Sequence, residues 1–298
     1  MICPYRGGSW VVDQQVTSRR AYRSDLSDAQ WALIEPVLTA WRAARRGPGV
    51  AARVHDLREI VNAILYVCRT GIAWEYLPHD FPPYKTVYDY YAKWEVDGTT
   101  EKLHDLLRQR VRIAKGRTAT PTAAIIDSQS VKTSCNVSES SQGIDAAKKI
   151  KGRKRHIATD VLGLLLVVIV TAASVQDSAA GQQVLDRIAV EHPSVSMAWV
   201  DGGYNNGVVN HGARRGVQVE VVKRPTAKGF QVLPRRWVVE RTLGWLMQHR
   251  RLARDYEALP ERSRTMIHWA MANIMSRVLT GESTQTWRND LRKSDIIS

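Results

Sequence analysis

The sequence predicts a mixed α/β half preceded by an all-helical half. Over residues 22–116, apolar side chains recur at the three- and four-residue spacing of amphipathic helices. Over residues 117–282, three short β segments are followed by helix, strand, helix, strand and helices, an order typical of a mixed sheet with helices on its faces. We place the boundary in residues 115–122 (KGRTATPT), and we expect residues 1–21 to form a flexible leader and residues 283–298 a frayed tail.

Four helices are predicted in the first half. Ser27 is a candidate N-cap for the first helix, which ends in the basic segment 42–53 with its Gly-Pro-Gly. The second helix, DLREIVNAILYVCRT, has an apolar face that includes Ile60 and Ile64, and it stops at Gly71. The third and fourth, TVYDYYAKWEVDG and TEKLHDLLRQRVRIAK, follow a proline-rich loop.

The second half opens with residues 123–126 as a short apolar strand that ends in Asp127. A polar segment, rich in serine and then in lysine, follows over residues 128–155. The segments HIATDVLG and LLLVVIVTAAS are predicted to be paired strands joined at Gly163. After them we predict a helix over residues 178–192, the strand MAWVD, a short helix, the strand VQVEVVK and two final helices.

The composition excludes a disordered or fibrous protein, because 44% of the 298 residues are hydrophobic and 24% are charged. The 43 Lys and Arg residues against 29 Asp and Glu leave a formal net charge of +14. That charge favours an anionic polymer or a membrane surface over a small neutral metabolite as the partner. The three cysteines lie far apart, which fits a reducing compartment better than a disulfide framework or a zinc site.

No membrane or export signal is expected. The first ten residues, MICPYRGGSW, lack the apolar stretch of a signal peptide. The longest apolar run, residues 162–175, is shorter than the roughly 20 residues that a spanning helix needs. We therefore expect a cytoplasmic protein.

Three carboxylates stand out by their positions. Asp127 and Asp201 each close an apolar strand where it meets a loop, and Glu240 lies in the helical segment RRWVVERTLGWL. That side of an α/β sheet is where ligands usually bind. Hard divalent cations prefer clustered carboxylate oxygens, and two such ions about 4 Å apart can clamp the attacking and leaving oxygens of a phosphoryl displacement. The three acids would form such a site if the helix packs across the sheet.

Plainer readings of these acids stay open at this point. An Asp at a strand end often only caps a turn, and Glu240 with Arg236 is also the spacing of an ordinary helical ion pair. Asp160 and Asp177 follow predicted strands as well and compete for the same role. No GxGxxG, Walker, GxSxG or HExxH motif indicates a rival chemistry, and no nucleotide cofactor is expected.

Four longer strings carry a family resemblance: DSQSVK, KKIKGRKRHIATDVLGLLL, WVDGGY and LPRRWVVERTLGWLMQHRRLARDYE. They resemble the DDE transposases of bacterial insertion sequences, most closely the insertion-sequence-five group. The segment WEYLPHDFPPYKTVYDYYAKWEVDGTTEKLH is similar to that family's helical, helix-turn-helix-like DNA-binding part. The similarity covers roughly residues 22–280 in order.

The resemblance implies an RNase H-like catalytic domain in which Asp127, Asp201 and Glu240 bind two Mg²⁺ ions, with Mn²⁺ as a substitute. A family signature, Y-x2-R-x3-E-x6-K, maps its Arg and Glu onto Arg236 and Glu240, so Arg236 is expected to hold a phosphate or orient the glutamate. The Tyr and Lys positions of that signature are occupied by Leu233 and Met247 here.

DNA contacts are expected from two segments and from the end of the signature helix. Six of the eight residues from 148 to 155 are basic and lie next to the presumed site, which favours a grip on the DNA backbone over the alternative of a merely solvated charge run. The third helix is expected to recognise the element ends, with its tryptophan and at least one tyrosine in the core. The expected contacts are Lys85, Thr86, Tyr88, Lys93, Lys148, Lys149, Lys151, Arg153, Lys154, Arg155, Arg250 and Arg251.

The activity implied by the resemblance is transposition. The protein would bind the terminal inverted repeats of its element, cleave the DNA there and join the 3′-OH to target DNA. Double-stranded DNA would be its partner, a homodimer would form in the synaptic complex, and the protein would associate with the bacterial nucleoid. Two alternatives remain: a metal-dependent nuclease or decayed transposase that cuts without joining, and a DNA-binding regulator on a silent catalytic fold.

Overall fold

The computed structural model describes residues 19–46, 55–222 and 237–283. Its helices are α1 (Asp28–Ala44), α2 (Leu57–Thr70), α3 (Tyr84–Val96), α4 (Thr99–Ala114), α5 (Asp177–Glu191), α6 (Asn206–Arg214), α7 (Trp237–Met247) and α8 (Pro260–Thr280). Its strands are β1 (Ala123–Lys132), β2 (Gly143–Asp145), β3 (Ile150–Thr159), β4 (Leu165–Ala172), β5 (Met197–Asp201) and β6 (Gln218–Val222). Most of the predicted leader and nearly all of the predicted tail lie outside the described residues.

The helical half forms as its local sequence signals predict. Ser27 caps α1 in a reciprocal capping box, in which its hydroxyl accepts a hydrogen bond from the Gln30 backbone N–H and the Gln30 side chain accepts one from the Ser27 N–H. Helix α2 ends at Gly71, whose φ of +77° is the left-handed conformation that glycine adopts at little cost. Trp94 and Tyr91 of α3 are fully buried, which confirms the expectation that the tryptophan and at least one tyrosine of this helix belong to the core.

The second half is a mixed sheet with helices packed against it. The strand order is β2-β3-β1-β5-β6, and β4 pairs with β3 on the same side as β2. Strand β3 runs antiparallel to β1 and β4, while β1, β5 and β6 are parallel to one another. The predicted α/β class, an RNase H-like sheet preceded by a helical region, is confirmed.

Strand β1 is longer than the sequence pattern predicts. The expectation that it ends at Asp127 is wrong, because β1 continues to Lys132 and pairs with β3 along the whole added length. The lysine-rich stretch is likewise a strand, since β3 begins at Ile150. Ser128 and Ser130, which made the segment look like a loop, face a buried polar network.

The apolar core continues from the helical half onto one face of the sheet. Ile125 and Ile157 of the sheet share a hydrophobic cluster with the helices of the first half, while Ile126 belongs to a second cluster on the opposite face. Helix α8 packs against α1, α2, α3 and α4, and the rings of Trp94 and Trp269 lie 5.7 Å apart. The last helix therefore completes the core of the first half.

A buried ion pair joins the two halves at the turn between β3 and β4. The Arg112 guanidinium of α4 contacts the carboxylate of Asp160, and both side chains are almost fully buried. The same carboxylate accepts hydrogen bonds of 2.9 Å from the backbone N–H groups of Leu162 and Leu164. This turn is therefore fixed both by its own backbone and by α4.

In the described part of the chain, no helix combines the length and the apolar character that crossing a membrane requires.

The stability of the fold should fall as the pH drops from about 7 to about 5. Burial lowers the pKa of His156 and of His249 from 6.5 to about 4 in each case. The unfolded chain then binds more protons than the folded chain between about pH 6.5 and about pH 4, so acidification favours unfolding by up to about 1.4 kcal/mol per pH unit for each histidine. Urea unfolding at several pH values measures the slope, and the His156→Gln variant should show a shallower one. A free energy of unfolding that stays constant across this range would contradict the prediction.

Candidate active site

The strand register places Asp127 and Asp201 at matched positions on neighbouring parallel strands. Ala123 pairs with Met197 and Ile125 with Trp199, so each β1 residue faces the β5 residue 74 positions later. Asp201 also lies 74 positions after Asp127, at the end of β5. Neighbouring strands are about 4.8 Å apart. The paired positions end at Ile125 and Trp199, and the same register continued by two residues puts both carboxylates on one face of the sheet at the same level.

That face is the one that α7 covers. Side chains alternate along a strand, so Asp127 points to the same side as Ile125. Ile125 packs in one hydrophobic cluster with Val238 and Val239 of α7, and Trp199 of β5 borders the same cluster. The two aspartates thus open toward the side of the sheet that carries the third candidate acid.

Backbone amides fix the orientation of both aspartates. One oxygen of Asp127 accepts a hydrogen bond from the Ser128 N–H at 2.7 Å, and one oxygen of Asp201 accepts one from the Gly203 N–H at 2.9 Å. Both side chains are half-buried.

Glu240 occupies the first turn of α7 and is exposed. Helix α7 packs against β1 and β3, which brings this turn to the sheet face of the aspartates. The described residues contain no group of three or more His, Cys, Asp or Glu side chains close enough together to hold a metal ion. The aspartate pair thus offers the hard oxygen donors that a divalent cation prefers, while Glu240 is not gathered with them in this structure.

The two competing acids have structural partners. Asp160 is fully buried in its contact with Arg112 and in the hydrogen bonds of the β3–β4 turn. Asp177 begins α5, where it accepts hydrogen bonds from the Ser128 hydroxyl at 2.9 Å and contacts the Lys154 ammonium at 3.1 Å. Both acids therefore serve packing and strand alignment.

A buried polar network lies behind β1, and the sequence pattern did not predict it. Lys154 stands between Asp177 and Asp145, and the Ser130 hydroxyl donates to Asp145. Burial opposes ionisation of Asp145, but the Ser130 hydrogen bond and the nearby lysines outweigh it and lower its pKa to about 2. Asp177 and Asp145 thus accept the hydrogen bonds of Ser128 and Ser130, the β1 residues that follow Asp127 on the opposite face.

The prediction that the basic run grips DNA is wrong for its second half. Arg153 and Arg155 are fully buried, and Lys154 is 5% exposed. Arg153 donates to the carbonyls of Glu257 and Ala258, and Arg155 donates to the carbonyl of Leu252. Arg153 and Arg155 point to one face of the sheet and Lys154 points to the other. On both faces they are buried against protein groups and stabilise the fold.

Arg251, after the end of α7, is also buried. The prediction that it contacts DNA is wrong, because it is 5% exposed, pairs with Glu257 at 2.7 Å and donates to the carbonyl of Ile72 at 2.8 Å. Its neighbour Arg250 is exposed. Only Arg250 of this pair is therefore placed to reach a phosphate.

The first half of the basic run remains at the surface. Lys148, Lys149 and Lys151 are exposed around the tip of the β2–β3 hairpin. The contact of Lys151 with Glu139 is solvent-exposed on both sides, and such pairs contribute little stability. These three lysines are thus accessible cations at the end of the β2–β3 hairpin.

The predicted recognition residues on α3 differ in how they are placed. Lys85 is exposed, Thr86 and Tyr88 are half-buried, and Lys93 is exposed beside Asp89. Lys85 and Tyr88 line a cleft of about 780 Å³ between α3 and residues 134–136 and 256–258.

Of the four signature positions, the described residues include Glu240 and Met247. Arg236 and Leu233 lie outside the described residues. Met247, at the position of the signature Lys, ends α7 and is 39% exposed.

Comparison with known families agrees with this architecture. A family model described as "Transposase DDE domain" matches residues 118–275, more than half of the chain, and one described as "Putative transposase of IS4/5 family (DUF4096)" matches residues 26–104. The chain therefore belongs to the DDE transposases of insertion sequences.

A curated relative points the same way. Over 154 residues, the chain is 32% identical to the "Putative transposase for insertion sequence element IS402" of Burkholderia cepacia. The match covers 48% of this chain and 66% of that relative.

The buried and exposed parts of the basic run should respond oppositely to mutation. Arg153→Met leaves Asp255 buried without its partner, so we expect the free energy of unfolding to fall by about 3–5 kcal/mol. Lys149→Met should change it by less than about 0.5 kcal/mol and should instead weaken DNA binding and reduce its salt dependence. Denaturant unfolding and salt-dependent DNA titration separate the two. An Arg153→Met protein as stable as the wild type would contradict the assignment.

Proposed function

We propose that this transposase binds the terminal inverted repeats of its insertion sequence, cleaves the DNA at the element ends and joins the freed 3′-OH to target DNA. The observation that carries the proposal is the matched register of Asp127 and Asp201 on the sheet face covered by the helix of Glu240. Two fixed carboxylates on one face, with a third on a helix packed across it, suit a phosphoryl-transfer site.

DDE transposase domains depend on metal ions. We propose Mg²⁺ as the metal, with two ions and with Mn²⁺ as a substitute, held by Asp127, Asp201 and Glu240. Bound there, the metal would activate the attacking oxygen and stabilise the departing one.

The chemistry would proceed in two displacements. Water attack breaks a phosphodiester at the element end and releases a 3′-OH. That hydroxyl then attacks a target phosphodiester, so one such bond forms as another breaks, and neither ATP nor a covalent enzyme intermediate is required. Joining both ends in one complex calls for two protomers, and we propose a homodimer on DNA.

Surface cations would hold the DNA across this site. Lys148, Lys149 and Lys151 project at the β2–β3 hairpin, and Arg250 follows α7. Contacts from such side chains to phosphates position a duplex without reading its sequence. Arg236 would add a phosphate contact or orient Glu240.

End recognition would come from α3. Lys85 and Tyr88 line one side of the cleft, while Thr86 and Lys93 lie on the same helix. An exposed lysine at the start of a helix supports approach to the DNA backbone, and the partly exposed tyrosine offers a ring and a hydroxyl for the groove.

Replacement of the third carboxylate should abolish cleavage. A labelled duplex carrying the element end should be cut by the wild type with Mg²⁺ or Mn²⁺ but not with EDTA. The Glu240→Gln variant should lose at least about a hundredfold of the cleavage rate while still binding the duplex, since it removes a charge needed at the reacting centre. Gel analysis of the cleaved strand measures this.

A matched control is Glu261→Gln, because Glu261 is also an exposed glutamate in the first turn of a helix. It should cleave like the wild type. Cleavage by Glu240→Gln at the wild-type rate would refute the site, and binding without cleavage by the wild type in any metal would leave a DNA-binding protein. Cutting without joining would favour the nuclease alternative.

A change on α3 should weaken recognition of the element end. Lys85→Met should raise the dissociation constant for an end duplex by about tenfold, since about 1–2 kcal/mol is typical of a charged contact to a phosphate. Lys102→Met, which removes an equally exposed lysine from α4, is the control. Fluorescence anisotropy measures both, and equal losses in the two variants would argue against α3 as the recognition helix.

A further inference from the structure

We infer that Arg241 and Thr242 are positioning residues for Glu240: by fastening α7 to the β3–β4 turn, they determine where the third carboxylate stands relative to Asp127 and Asp201. The inference rests on the proposed function, because it assigns a purpose to the place of Glu240.

Thr242 joins the helix to the turn through a buried hydrogen bond. Its side chain is fully buried, and its hydroxyl contacts the carbonyl of Gly163 at 2.8 Å and the carbonyl of Val238 at 3.1 Å. Gly163 has a φ of +81°, and a Cβ at this position would lie 2.7 Å from the Thr242 hydroxyl oxygen. Helix and turn are thus in direct contact two residues after Glu240.

Arg241 adds a second attachment on the outer side of the helix. Its guanidinium donates to the carbonyl of Leu162 at 2.9 Å and lies between the rings of Trp237 and Trp245, 4.4 and 4.6 Å from their centroids. The two ring contacts restrict the arginine and keep its donor aimed at the turn. The two residues that directly follow Glu240 therefore both bind one turn.

The turn is a rigid support. Asp160 holds the backbone N–H groups of Leu162 and Leu164, and Arg112 of α4 holds Asp160. Arg112 also donates to the carbonyl of Thr118 in the segment that joins the halves. The attachment of α7 thus leads, through a single buried ion pair, to the helical half.

This support matters because the site is sensitive to small shifts of α7. The aspartates are fixed by the sheet, whereas Glu240 is carried by a helix, so its distance from them depends on where α7 is held. Residues that orient metal ligands typically change metal affinity by about 10–100-fold when they are removed. A shift of α7 would move Glu240 relative to the two aspartates and leave the fold in place.

The test compares three threonine variants. Thr242→Val removes the hydroxyl with little change of shape, whereas Thr242→Ser keeps the hydroxyl and loses only the methyl group. Thr265→Val is the matched control. Thr265 is also a buried helical threonine, and its hydroxyl donates to the carbonyl of Glu261 in its own helix. Urea unfolding first establishes that each variant is folded.

The first readout uses Mn²⁺ alone, without DNA or turnover. The melting temperature should rise with added Mn²⁺, because a ligand that binds the folded state stabilises it. In Thr242→Val, the half-maximal Mn²⁺ concentration should increase by about tenfold. It should stay at the wild-type value in Thr265→Val and return toward it in Thr242→Ser.

The second readout separates positioning from DNA binding. Thr242→Val should lower the single-turnover cleavage rate by about tenfold and leave the dissociation constant for an end duplex in EDTA within about twofold of the wild type. A Thr242→Val protein with wild-type Mn²⁺ dependence and cleavage would overturn the inference. The same result would follow if Thr265→Val lost as much as Thr242→Val, since the effect would then reflect stability.

Glu240→Gln distinguishes this failure from failure of the proposed function. If Glu240→Gln loses Mn²⁺ affinity and Thr242→Val does not, the site is correct and the positioning role is wrong. If Glu240→Gln itself keeps the wild-type Mn²⁺ response, Glu240 is not a ligand and the proposed site fails together with the inference.

Discussion

The structure depends on two guanidinium groups that are buried where the sheet meets the segment after α7. Arg153 and Arg155 of β3 donate to carbonyls of residues 252–258, and Arg153 also pairs with the buried Asp255. Charges removed from water in this way need protein groups that replace the lost water, so the segment that supplies those groups has little freedom to leave the sheet. From the same segment, Arg251 reaches back to the carbonyl of Ile72. The sheet, the carboxylate-bearing helix and the helical half therefore meet at one set of buried charges.

The parts of the fold that repeat a simple pattern could be predicted from the sequence. Paired strands on both sides of Gly163, the capping box at Ser27 and the stop at Gly71 are local signals that tertiary packing did not override. The extension of β1 was not predictable, because Ser128 reads as a loop residue until Asp177 and Lys154 are in place. The burial of Arg153 and Arg155 was not predictable for the same reason. A run of basic side chains is ordinarily solvated, and only the folded chain supplies the carbonyls that replace water.

The candidate site also has features that the sequence predicts and features that only the folded structure reveals. Asp127 and Asp201 could be selected from their positions next to apolar strands, but only the register of β1 with β5, paired up to Ile125 and Trp199, indicates that they lie on one face at the same level. Asp160 and Asp177 could not be separated from them by spacing, since their distinguishing features are the partners Arg112 and Ser128. The family comparison establishes the class of enzyme, while the individual roles of the three acids remain predictions for experiment.

Helix α8 has a consequence for how the protein is made. Helices α1 to α4 all precede residue 115, yet α8, which begins at Pro260, packs against each of them and places Trp269 against Trp94. Translation delivers the chain from its N-terminus, so the early helices leave the ribosome with an apolar side still open and wait for about 150 further residues before it is covered. A fragment cut after α4 would expose that side to solvent and to other chains. Whatever the helical half binds, it acquires its finished core only after the catalytic half has been synthesised.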